Sequence, residues 1–295
     1  MPKRTFFAGV LFVCIFTACP LHAKPKAKRV AQRPGAKIAI APLRLAITDL
    51  MATNRQKYPK GAAYLARLAA IEKQFAATKE TPELLKQFEA LCQEALLANP
   101  LLNFDKLLLV RRGSKNIGLV NNWLGNSSIR GTGFENEIAV LSPVSPKGKI
   151  TTLYKPEGGR FVGDVDLHFD GEKMLFSNGV GSNGRWQVCE IDANGKNLRE
   201  LPLIMQKDVM NYDACYLPDG NVMFNSTAPF IGVPCVGGSS KVSNLYLLES
   251  KSGKIRRIGF DQEHTWCPTV LNNGRVLYLR WEYSDIMHYY SRIMM

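Results

Sequence analysis

Asp164, Asp213 and Cys267 succeed one another at intervals of 49 and 54 residues. Each stands a few residues ahead of a turn pair: Asp170-Gly171, Asp219-Gly220 and Asn273-Gly274. Carboxylates and a thiolate brought to one place can hold a metal or polarise a small ligand. Asp166 and His168 follow Asp164 at alternate positions, so a regular strand would set these three on one face. His264 and Trp266 stand immediately ahead of Cys267. These seven residues are the ligand or channel-mouth candidates, and no metal is specified. The alternative is structural: an aspartate at the start of a strand caps neighbouring backbone N–H groups, and a single histidine takes a hydrogen bond in the core. No residue is assigned a catalytic role.

The elements that must position these residues change type near residue 100. Residues 42–99 carry apolar side chains at three-to-four spacing in three runs, which predicts helices. Tyr64, Leu65, Leu68 and Ile71 share a face of the second run. Thr81-Pro82 opens the third and Asn99-Pro100 ends it. Cys92 on its apolar face reads as a buried free thiol. Residues 100–295 instead show short strand-like runs punctuated by Gly, Asn, Asp and Pro. The pattern of residues 164–202 returns at 213–260 and begins again at 267, with a weaker copy from residue 103. A period near 50 with four strands per unit predicts β-propeller blades, because a blade has two apolar faces that only stacked neighbours can bury. Asp164, Asp213 and Cys267 then fall at one equivalent place, ahead of the innermost strand of each blade. The fold class expected is mainly β, a partial propeller behind a short helical segment. About three and a half blades fit, with the fourth expected to stop after its second strand, whereas closed propellers have roughly 4–8. The run is therefore expected to be truncated at its C-terminus, or closed by a partner.

The formal net charge of +13 is a nucleic-acid signal until it is located. Eight of those charges lie in residues 1–37, which hold no acid, leaving +5 for the rest. No Lys/Arg stripe with interleaved aromatics remains, and nucleic-acid binding is set aside. Lys3-Arg4 followed by the apolar stretch Thr5–Ala18 reads as a signal peptide over residues 1–23, with a small residue, Ala23, before the cut. A second reading takes Phe16-Thr17-Ala18-Cys19 as a lipobox that lipidates Cys19. Residues 24–41 read as a basic disordered linker, and no membrane span is expected after the signal. The chain is thus expected in the periplasm or outside the cell, or lipid-anchored through Cys19.

Five cysteines follow the signal. Export permits disulfides, and Cys215 and Cys235 are a candidate pair whose loop of about 20 residues would be worth about 3 kcal/mol. Residues 227–244 form a Gly/Pro-rich loop longer than a hairpin needs, suited to binding or to covering the channel mouth. Trp123, Trp186, Trp266 and Trp281 fall at dissimilar places in the repeat, as core residues do and a sugar-stacking set would not. No Cys-x-x-Cys-His occurs, so no covalent c-type haem is expected in this chain. No Gly-x-Ser-x-Gly occurs either, which removes the propeller-peptidase reading.

The repeats carry the words of the TolB-like propeller. Leu217-Pro218-Asp219-Gly220 with Phe224 resembles its turn and second strand, and Glu190-Ile191-Asp192-Ala193-Asn194-Gly195 with Leu198 and Leu201 resembles its outer strand pair. A narrower resemblance covers most of residues 42–292. The strings NPLLNFDKLLLVRR, PEGGRFVGDVDLHFDGEKMLFS, GVPCVGGS and FDQEHTWCPTVLNNGRVLYLRWEYSD resemble the N-terminal propeller region of hydrazine synthase alpha subunit-like proteins, which are large exported bacterial proteins. That resemblance implies an exported propeller binding or assembly module with a protein partner or small ligand at its mouth and no complete active site of its own. It also implies that haem, if any, belongs to a region downstream. The alternative it leaves is the N-terminal fragment of a haem- or metal-dependent oxidoreductase.

Overall fold

The computed structural model describes residues 39–78, 81–119, 124–281 and 291–294. The signal, Cys19 and nearly all of the basic linker lie outside them, as does Trp123. Contacts divide the chain into two units that meet near residue 100.

The first unit is three helices, α1 (Ile40–Asn54), α2 (Gly61–Thr78) and α3 (Pro82–Leu97). The Thr81 hydroxyl accepts the Leu84 N–H at 3.2 Å, and Pro82 occupies the first turn, so α3 starts where its sequence asks. Ile47, Tyr64, Leu68, Phe88 and Leu91 form the core, and Leu65 and Cys92 pack against its edge. Cys92 is a free thiol, only partly buried. Ile40 also packs on this core, which draws α1 back into the stretch read as linker.

The second unit is four separate antiparallel sheets, each a simple meander in chain order. The first holds β1 (Leu107–Arg111), β2 (Glu137–Ser142) and β3 (Lys149–Tyr154). The second runs β4 (Val162–Leu167), β5 (Lys173–Asn178), β6 (Gln187–Asp192), β7 (Arg199–Glu200). The third runs β8 (Asn211–Tyr216), β9 (Val222–Ser226), β10 (Asn244–Glu249), β11 (Lys254–Arg257). The fourth runs β12 (Thr265–Val270), β13 (Val276–Trp281), β14 (Ser291–Met294). β14 pairs with β13 from Tyr278↔Met294 to Trp281↔Ser291. This corrects the expectation that the fourth repeat stops after two strands: residues 291–294 pair with the edge of β13.

Each seam between successive sheets is one apolar cluster. Ile138 of the first sheet meets Val162, Met174 and Phe176 of the second. Leu175 and Val188 of the second meet Tyr216, Phe224 and Leu248 of the third. Met223 and Leu245 of the third meet Val270, Val276 and Tyr278 of the fourth. β9 is accordingly buried at all five residues, since both of its faces are covered. The three turn pairs have one geometry. Asp170, Asp219 and Asn273 each accept the N–H two residues on, at 2.8, 3.0 and 3.1 Å. The glycine between has φ of 73, 84 and 79°, which a side chain would oppose.

Candidate functional site

β4, β8 and β12 are interrupted at the same place. Their pairing registers shift between Gly163 and Asp166, Tyr212 and Cys215, and Trp266 and Thr269. Within each bulge stands one residue in the left-handed region: Asp164 (φ 50°), Asp213 (φ 54°) and Cys267 (φ 48°). Non-glycine residues rarely take this conformation, and three at equivalent places make it a repeated feature of the unit. The bulge also breaks strand alternation. Asp164 therefore does not continue the face of Asp166 and His168, which corrects the shared face expected from spacing.

The three left-handed residues converge, as the 49- and 54-residue intervals require of equivalent positions. Asp213 donates its N–H to Ser177 Oγ of the second sheet at 2.8 Å. Its Oδ2 accepts Asn225 Nδ2 at 3.2 Å and the backbone N–H of Cys267 in the fourth sheet. Asp164 Oδ2 accepts Asn126 Nδ2 at 2.6 Å. Two residues on, Asp166 Oδ2 accepts the Tyr216 N–H of the third sheet at 2.9 Å. Aspartates of one sheet thus cap backbone donors of the next.

Burial and the nearby Asp164 carboxylate push Asp213 up to about 7. Neither carboxylate has an ion pair among the described residues, and the hydrogen bonds from Cys267 and Asn225 only partly offset the burial and repulsion at Asp213. Loss of water, and then Asp213 and Asp164, also hold the Cys267 thiol above the ordinary thiol range, although the residue as a whole is exposed. Two negative neighbours favour the thiol over the thiolate, which makes Cys267 a poor nucleophile as it stands. Among the described residues no three His, Cys, Asp or Glu side chains are grouped to hold a metal ion.

His264 and Trp266 lie apart from this trio, in the interior. His264 is fully buried, its Nδ1 accepts the Ser243 N–H at 3.1 Å, and its ring stacks on Trp266 with centroids 5.1 Å apart. Burial lowers its pKa to about 4, so the imidazole is neutral. Trp266 donates Nε1–H to Leu124 O at 3.0 Å. Leu124 belongs to the 112–136 connection between β1 and β2. From the same stretch Asn126 holds Asp164, Ser127 Oγ donates to Lys241 O at 2.8 Å, and Ser128 Oγ lies 2.9 Å from Ser240 Oγ. This connection ties the second and fourth sheets to the 227–244 loop, and it covers His264 and Trp266. Sequence reading missed Asn126, Ser127 and Ser128; the signal was the length of the connection, far beyond the 2–5 residues of a usual hairpin loop.

His168 sits elsewhere again. Its Nδ1 is 2.8 Å from Asp170 Oδ1, and its ring meets the Tyr216 ring edge-on at 4.6 Å. Asp166 lies between His168 and the trio, raised by burial against the Tyr216 N–H bond that lowers it. Cys215 is a free thiol, buried against Met223 and Leu245 in the seam to the fourth sheet. The disulfide expected with Cys235 is not formed, because the strand turns Cys215 into that apolar seam; the Cys235 side chain lies outside the described residues. Cys189 is likewise buried and free, its pKa pushed up to about 12 by burial.

No family model matches the chain, and no curated protein does. Among solved structures the chain is similar to hydrazine synthase from Kuenenia stuttgartiensis, with 13% identity and a TM-score of 0.46 over 60% of this chain and 28% of that one. It is similar to TolB from Acinetobacter baumannii, with 19% identity and a TM-score of 0.37 over 49% of this chain and 32% of that one. A putative TolB from Agrobacterium tumefaciens gives 14% and 0.39 over 62% of this chain and 56% of that one. The chain thus matches between about a quarter and about half of the length of these proteins.

Proposed function

We propose that residues 101–295 are part of a β-propeller that serves as an exported binding or assembly module of the hydrazine synthase alpha subunit-like kind. The observation that carries this reading is the left-handed bulge repeated in three successive sheets, with its residues converging on one place. Radial repetition of a blade brings equivalent residues of its inner strands together, as Asp164, Asp213 and Cys267 are. Asp213 holds the backbone N–H of Cys267 in the next sheet, Asp164 holds the Asn126 side chain, and the Cys267 thiol is held protonated. The trio is thus suited to fixing adjacent blades and presenting a polar mouth to a protein or a small ligand, more than to bond-making. Export rests on the N-terminal signal pattern, and the expectation of no covalent c-type haem on the lack of Cys-x-x-Cys-His.

The test is to express the full chain in a Gram-negative host, fractionate the cells, and assay the purified mature protein for haem and metals. The module reading expects processed protein in the periplasm, without haem and without stoichiometric metal. Stoichiometric haem, or a metal lost in Asp213→Ala or Cys267→Ala, would sink it in favour of a fragment of a haem- or metal-dependent oxidoreductase. Cytoplasmic, unprocessed protein would remove the export claim.

A further inference from the structure

The seam between the second and third sheets opens into a cavity of about 180 Å³. A cavity of about 150 Å³ is enough for a benzene ring. Its floor is apolar, made by Leu201, Val222 and Leu248, all buried. One wall is the Tyr216 ring, with Lys173 Nζ 5.4 Å from its centroid.

The rim is charged. Glu190 is buried there, and both of its oxygens are committed. Oε1 accepts Tyr216 Oη–H at 2.8 Å and pairs with Lys173 Nζ at 3.1 Å. Oε2 accepts Arg199 Nε–H at 2.9 Å and also Nη2–H. Two cations thus surround one carboxylate at the mouth of an apolar pocket, and Asp170 also faces Lys173. The Arg199 side chain is more than half exposed, so its guanidinium can turn a second edge to a ligand. His168 also lines the cavity; Asp170 engages its Nδ1, which leaves Nε2 facing outward from that pair.

We infer that this seam cavity binds a small monocarboxylate with a flat or branched apolar body. The carboxylate would pair with Arg199 and Lys173, and the body would lie on Leu201, Val222 and Leu248 beside Tyr216. Arg presents a fork that matches a carboxylate. The apolar floor would penalise a small, strongly hydrated dianion such as phosphate.

The probe is benzoate, titrated into the mature full chain by calorimetry and ligand-observed NMR, with benzamide as its neutral isostere and inorganic phosphate as the dianion. Benzoate is expected to bind saturably, at least tenfold tighter than either. Arg199→Gln should weaken benzoate at least tenfold, and Leu248→Phe, which fills the floor without changing charge, should abolish it. Lys147→Gln, on an exposed turn of the first sheet, should change nothing. Circular dichroism shows which variants remain folded, and a misfolded Arg199→Gln leaves Leu248→Phe as the deciding variant. Equal binding of benzoate and benzamide, preference for phosphate, or benzoate binding unchanged by Leu248→Phe would each overturn the proposal.

Discussion

Two buried carboxylates in adjacent sheets meet opposite fates. Glu190 loses water on burial, but Tyr216, Lys173 and Arg199 give back more than was lost, and its pKa falls below the ordinary range. Asp213 also loses water, yet its polar neighbours are backbone N–H, an amide and a second aspartate, and its pKa rises to about 7. Loss of water alone would raise both. What separates them is what stands beside each: a hydroxyl and two cations favour the charged form of Glu190, whereas a second carboxylate disfavours that of Asp213 against its hydrogen bonds from Cys267 and Asn225. The first arrangement is a fixed, ionised brace between sheets. The second is a carboxyl near its midpoint at neutral pH, holding the Cys267 N–H of the fourth sheet and the Asn225 amide of its own.

The largest effect that sharpens this contrast belongs to a group with no counter-charge, His264. Its folded pKa of about 4 lies below the unfolded value of about 6.5. The unfolded chain therefore takes up a proton between those values while the folded chain does not, and stability is lost as the pH falls through that window. The loss should reach on the order of 3 kcal/mol. Urea unfolding at pH 7 and pH 4 measures it, and the His264→Gln variant should lose most of that difference. An unchanged slope in the variant would mean that His264 is not held neutral.

Glu190→Gln comes next, with an expected loss of about 2 kcal/mol at pH 7, because two cations lose their counter-charge and one of the two acceptor oxygens becomes a donor. Asp213→Asn should act in the opposite direction. The folded pKa of about 7 exceeds the unfolded value of about 3.9, so the wild-type group costs stability increasingly as pH rises from about 4 to about 7. An amide removes that cost and keeps an oxygen for the Cys267 N–H, giving a gain of about 1 kcal/mol at pH 8. If the two substitutions shift the urea midpoint in the same direction, the contrast between the carboxylates is wrong.

The smallest effect is kinetic. Cys267 is exposed but held protonated, so its reaction with a thiol-directed reagent at pH 8 should run roughly tenfold slower than that of a free cysteine peptide. Asp213→Asn should speed it severalfold. A wild-type rate equal to that of the peptide would show that the carboxylates do not govern the thiol.

The repeat was legible because its signals are local. Asp-Gly and Asn-Gly turns need a φ > 0 residue wherever they occur, and the turns at residues 170, 219 and 273 took one shape. The same spacing placed Asp164, Asp213 and Cys267 at equivalent positions. It could not show that the position was a left-handed bulge, since a bulge is defined by the strand it pairs with. Alternation therefore predicted a face for Asp164, Asp166 and His168 that the extra residue divides. The helical segment was readable from its period, while its first turn was decided by the core that Ile40 joins.

By itself, then, the amino-acid order determined the elements, their period and which residues are equivalent, because turn chemistry and apolar periodicity act over a few residues. Only the tertiary structure decided what each candidate touches. Asn126 reaches Asp164 across 38 positions of chain, and Leu124 meets Trp266 across 142. It also decided charge state: Glu190 and Asp213 are both acidic in the sequence, and the cations that ionise one and are absent from the other are set by which strands and loops pack together.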